Sequence, residues 1–145
     1  MRYLFLLSVF AVAIPARDLQ QPKKEANTIQ EQLLGEWQII QYEFTGQIEK
    51  PKTGTLTAIF HKDRIEIIFE GKPDPKDDLE YSLNVHRNPI TIDLKPQNVP
   101  SMPGILRLEG DSLTVCFSLE RERPTQFAAP DHQDAILVQL KRIKK

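Results

Sequence analysis

The chain predicts an all-β fold: an eight-stranded antiparallel up-and-down barrel, preceded by one short helical turn. Three observations carry this reading. Apolar residues recur with period two in eight short runs, the spacing of strands that bury one face. The runs follow one another through mostly hairpin-length links with almost no helical period between them, which suits a meander. The single cysteine leaves no internal disulfide to hold the fold, so a closed sheet without exposed edges suits the chain.

The elements follow in order. Residues 1–16, MRYLFLLSVFAVAIPA, place one charge at Arg2 before an apolar run from Leu4 to Ile14, with small residues after it. The run falls short of the roughly 20 residues that span a bilayer. It reads as a secretory signal peptide, cleaved near Ala13 or Ala16. Residues 17–27, RDLQQPKKEAN, are polar and aperiodic and read as a flexible lead-in. The barrel domain then occupies 28–145. Thr28 and Glu31 fit the capping box of a short helix, Leu33 and Leu34 give it an apolar side, and Gly35 ends it.

The first strand carries Trp37 and Ile39, after which the alternation slips by one residue and continues through Ile40, Tyr42 and Phe44. Such a slip inside one strand predicts a β-bulge. Leu56, Ala58 and Phe60 form the second run, and Ile65, Ile67 and Phe69 the third, joined by a turn over His61 to Arg64. The stretch EGKPDPKDD follows, where two prolines argue against regular structure. Leu79, Tyr81, Leu83 and Val85 alternate as the fourth strand, and Ile90, Ile92 and Leu94 as the fifth. After a proline-broken link come Ile105 to Leu108, a tight Gly110-Asp111 hairpin, and Leu113, Val115 and Phe117. Ile136, Val138 and Leu140 close the series.

Charge narrows the partners. The net formal charge is −1, and nucleic-acid binders usually carry a clear basic excess. With its signal removed, the chain keeps about 130 residues, enough for one modest core.

Gly35-Glu36-Trp37 opens the first strand, and Arg142 falls on the inward face of the last. The pair resembles the lipocalin-type arrangement of a G-x-W tryptophan stacked on an arginine, which closes one barrel end. More specifically, the segments LLGEWQIIQYEFTGQ, PITIDL, GILRLEGDSLTVCF, RPTQF and LVQLKR resemble a small exported, lipocalin-like domain family of unknown function, common in planctomycetes. They cover nearly everything from Leu33 to Arg142. The resemblance implies a tyrosine where Leu106 stands, so any ligand or hydrogen-bonding role of that ring is absent from this chain. It brings no established activity with it.

Chemical candidates are few. Cys116 alternates with the apolar residues of its strand, which places it on the outer face as a partly covered structural thiol with no histidine near in sequence. Glu120-Arg121-Glu122-Arg123 reads as a solvated strand end, except that Arg123, before Pro124, is expected to hold the last long loop to the barrel rim. Phe127 is expected to tuck back as its apolar anchor. Asp131, His132 and Asp134, the pair His61 and Asp63, and the loop acids Asp74, Asp77 and Asp78 match no metal-site spacing. Glu66, Glu80 and Asp93 lie opposite the apolar faces of their strands, outside the barrel. No catalytic motif, metal or cofactor is indicated, and the chain reads as a non-enzyme. The C-terminal Lys141-Arg142-Ile143-Lys144-Lys145 reads as a solvated tail, and no stable membrane insertion is expected once the signal is cleaved.

The expected function is that of an exported domain, periplasmic, envelope-bound or secreted, whose interior holds a small apolar ligand. Its expected lining is Trp37, Ile39, Phe60, Ile67, Phe69, Tyr81, Leu83, Leu106, Leu108, Val115 and Phe117. Gly35, Trp37, Arg142, Arg123, Pro124 and Phe127 form the expected structural closure. The same interior describes a filled core equally well. In that case the domain is a structural or protein-interaction module of the cell envelope, with an envelope protein as partner.

Overall fold

The computed structural model describes residues 28–131 and 133–144; the expected signal peptide and lead-in lie outside them. A short helix over 28–33 precedes ten strands: β1 Gly35–Phe44, β2 Gln47–Glu49, β3 Leu56–Phe60, β4 Arg64–Phe69, β5 Lys72–Pro73, β6 Leu79–Asn84, β7 Ile90–Pro96, β8 Met102–Glu109, β9 Ser112–Ser118 and β10 Ala135–Arg142. Eight of them close a ring of antiparallel pairs, β1-β3-β4-β6-β7-β8-β9-β10, completed by β10 against β1. The chain is therefore an up-and-down, lipocalin-like barrel. Every one of the eight expected strands is present.

The two extra strands are short returns. β2 pairs with the far half of β1, where β3 no longer reaches, and β5 pairs with the end of β4. The second of these corrects the expectation for EGKPDPKDD. Its prolines permit a two-residue ladder at Lys72–Pro73 and a single 3-10 turn at Pro75–Asp77, because Pro75 stands at the turn's start, where its missing N–H costs nothing. Asp74 caps that turn by accepting from the Lys76 N–H at 3.0 Å.

In β1 the register against β10 jumps between Ile39 and Gln41, the expected bulge. Ile40 is the extra residue, and it points to solvent instead of resuming the inward face. That face resumes at Tyr42, opposite Val138.

One core lies inside the ring: Leu33, Trp37, Ile39, Ala58, Phe60, Ile65, Ile92, Leu94, Leu106, Leu113, Val115 and Leu140 are buried in it. Smaller side chains sit where strands crowd. A Cβ on Gly104 would lie 2.8 Å from the Cys116 carbonyl and 3.0 Å from Phe117 Cβ, so β8 passes β9 and β7 there only as glycine. The seam between β4 and β6 is the shortest in the ring, with Arg64 opposite Glu80 and Ile65 opposite Leu79. Among the described residues no helix is long and apolar enough to cross a membrane.

Candidate functional site

The barrel has two unlike ends. At one end, the helix over 28–33 meets the barrel, and its last residue, Leu33, is fully buried in the core. A helix leaves its last carbonyls without partners, and here three consecutive ones receive side-chain donors. Arg142 donates Nη2 to the Gln32 carbonyl and Nη1 to that of Leu34 at 3.2 Å. The Trp37 indole N–H donates to the Leu33 carbonyl at 2.8 Å. The guanidinium carbon lies 4.2 Å from the centroid of the Trp37 ring, a cation–π stack. Asp111 holds the same guanidinium from outside at 3.4 Å and reaches Lys144 at 3.0 Å. The hydrogen bond and charge of Lys144, with help from Arg142, hold the Asp111 carboxyl below its ordinary value. Gly35 lets the chain turn from helix into β1 at a φ of +119°, and a Cβ there would lie 3.7 Å from an Arg142 guanidinium nitrogen. This end is plugged.

Toward the other end the interior holds a cavity of about 160 Å³ with an entirely apolar wall. Of the residues expected to line it, Ile39, Phe60, Ile67, Val115 and Phe117 do so. Ala58, Ile65, Leu79, Ile92, Leu94, Val138 and Leu140 complete the wall, each the inward residue of its strand but absent from the expected lining. Trp37 and Leu106 are buried in the core away from the cavity. Tyr81, Leu83 and Leu108 pack against its flanks, half-buried. Tyr81 stacks edge-on to Phe60 and donates its hydroxyl to the His61 carbonyl; burial, then the charge of Asp63, push that phenol up.

Phe69 departs from expectation. It keeps the inward parity of Ile65 and Ile67, yet it is 55% exposed, because β4 ends there and the wall beyond it is missing. Phe44, at the end of β1, is exposed for the same reason, and Ile48, Val99 and Leu119 are exposed in the strand and loops around this end. The mouth thus carries an apolar rim.

The outer face carries a second, smaller core under the segment 119–134. Ile105, Cys116, Ala129, Ala135 and Leu137 are buried together, with Phe127 packed on them. Cys116 is on the outer side of β9, as its parity predicts, and is fully covered; its Sγ lies 3.5 Å from the Ala128 carbonyl, and burial pushes the thiol up. Arg123 reaches from the same segment to the Gly104 carbonyl at 2.7 Å, the Ile92 carbonyl at 3.2 Å and Asp93 at 2.8 Å. Pro124 follows it, half-buried. Arg107 stands over the Phe127 ring at 4.6 Å.

A larger concavity, about 470 Å³, lies on the outer face along the short β4–β6 seam. It is lined by Asp63, Arg64, Glu80, Ser82, Asp93 and Lys95 among others. Opposite charges face each other there across the strands, Arg64 beside Glu80 and Glu80 beside Lys95, while Arg64 also bridges Asp78 at 3.2 Å. The Glu66 carboxylate accepts from the His61 Nε2–H at 3.1 Å on the same outer surface. Among the described residues no group of three or more histidine, cysteine or acidic side chains is placed to hold a metal ion.

The chain matches no protein-family model, and no curated protein sequence matches it.

Proposed function

We propose that this is an exported, lipocalin-like binding protein that takes a small apolar molecule, or one apolar end of a larger one, into its barrel. The observation that carries the reading is the 160 Å³ cavity walled by twelve apolar residues. An apolar cavity of about 150 Å³ stays dry and admits a guest the size of benzene or xenon. Such a wall offers no donor, acceptor or nucleophile, so it favours binding over chemistry and selects by size. Any polar part of a guest must remain at the mouth, against Phe44 and Phe69.

The test is thermal unfolding in buffer containing benzene. A guest that binds only the folded state adds about 2.7 kcal/mol at a hundred times its dissociation constant. An unchanged melting curve in benzene-saturated buffer refutes the reading.

A second reading has one observation of its own. The cavity is about half the volume of the smallest ordinary ligand pockets, roughly 300 Å³, while the mouth exposes five large apolar side chains. On that reading the barrel is a filled scaffold, and its rim meets an envelope protein.

A further inference from the structure

Between β9 and β10 the described residues, 119–131 and 133–134, have no regular secondary structure, yet the two ends of the segment touch: the Leu119 N–H donates to the Asp134 carbonyl at 2.8 Å, and Ser118 pairs with Ala135. That neck makes it an Ω-loop, whose body can move while both attachment points stay fixed. Among the described residues a few contacts hold it to the barrel, one of them Arg107 over the Phe127 ring. Arg123 holds the carbonyls of Ile92 and Gly104 and the carboxylate of Asp93. Phe127 and Ala129 cover Ile105, Cys116 and Leu137. The Gly46 N–H, in the turn between β1 and β2 at the barrel mouth, donates to the Ala129 carbonyl at 2.8 Å. Residues 120–122, 125, 126, 128, 131, 133 and 134 are exposed.

Segments with few buried apolar contacts occupy the low end of a protein's local stabilities. The barrel beneath, by contrast, is paired without a break on both sides of β9. We infer that residues 119–131 form a strap that opens as a unit while the barrel stays closed, with Arg123 as its latch. Cys116 is sealed when the strap is down and reachable when it lifts. Lifting also frees the Gly46 N–H, so the strap and the mouth move together. In an oxidising compartment the strap would shield a lone thiol that has no partner within the chain.

The experiment is thiol labelling of the folded protein by an aromatic disulfide reagent, followed over a series of urea concentrations below the unfolding transition. The Cys116 thiolate attacks the reagent, forms a mixed disulfide and releases an aromatic thiolate that is read by absorbance. A strap that opens locally gives a rate nearly independent of urea, since little surface is exposed on opening. A rate that rises with the full urea dependence of global unfolding, measured by Trp37 fluorescence, overturns the inference with no variant needed. Arg123→Ala should speed labelling about 10- to 100-fold by removing charge-assisted hydrogen bonds. Arg123→Lys should restore part of the protection. Acceleration in Arg123→Ala no larger than its loss of global stability dictates also overturns the latch. Should that variant fail to fold, Phe127→Ala makes the same comparison.

Discussion

Replacing Arg142 by methionine tests the plugged end most directly. Methionine keeps much of the length and apolar bulk over Trp37, but it removes both donors to the helix and the cation over the ring. The Gln32 and Leu34 carbonyls then lose their side-chain partners at the rim of the core. Arg142 is 25% exposed, so water can partly replace each bond, and about 1 kcal/mol apiece is a fair charge within the usual range. The cation–π stack adds about 0.5–2 kcal/mol. The expected loss is therefore about 2.5–4 kcal/mol, which for a domain of this size lowers the melting temperature by roughly 10–15 °C. Urea unfolding should be followed in parallel by Trp37 fluorescence and by far-ultraviolet circular dichroism. Arg142→Lys should recover less than half the loss, because an ammonium group cannot stack flat on indole while reaching two carbonyls. A loss below about 1 kcal/mol in Arg142→Met, or full recovery with lysine, would refute the argument that a planar two-armed donor closes this end.

Gly104→Ala should cost about 1–3 kcal/mol in urea unfolding, since the added carbon meets backbone and Cβ atoms that cannot swing away. Ala58→Leu places three carbons in the cavity; it should hold or raise stability by up to about 2 kcal/mol and abolish the stabilisation by benzene. If benzene still stabilises that variant, the guest lies elsewhere. The folded Asp111 carboxyl titrates below its ordinary 3.8, so its contribution is present above that pH and is lost as pH falls through the lowered folded value. Asp111→Asn should accordingly melt below the parent at pH 6, and the gap should close in strongly acidic buffer. A gap that persists there would point to a role other than charge.

The strand count and ring order were legible because period two survives wherever one face is buried, and the bulge showed itself as a one-residue slip before Ile40. Depth along the barrel was not legible. Ile67 and Phe69 share a strand and a face, yet one lines the cavity and the other stands in solvent, since alternation reports direction and not how far the neighbouring strands extend. The split between cavity wall and solid core was hidden for a related reason: Leu106 and Val115 are opposite one another across β8 and β9, and only Val115 touches the void. Arg123 could be singled out by its place before Pro124, but two of its acceptors are backbone carbonyls, which no residue type marks.

The first barrel strand begins and the last one ends at the plugged end, with Trp37 opposite Arg142. A fusion partner or a sensor surface joined to the barrel there is held at the base of the cup. Either attachment leaves the apolar rim turned outward and open to whatever it meets.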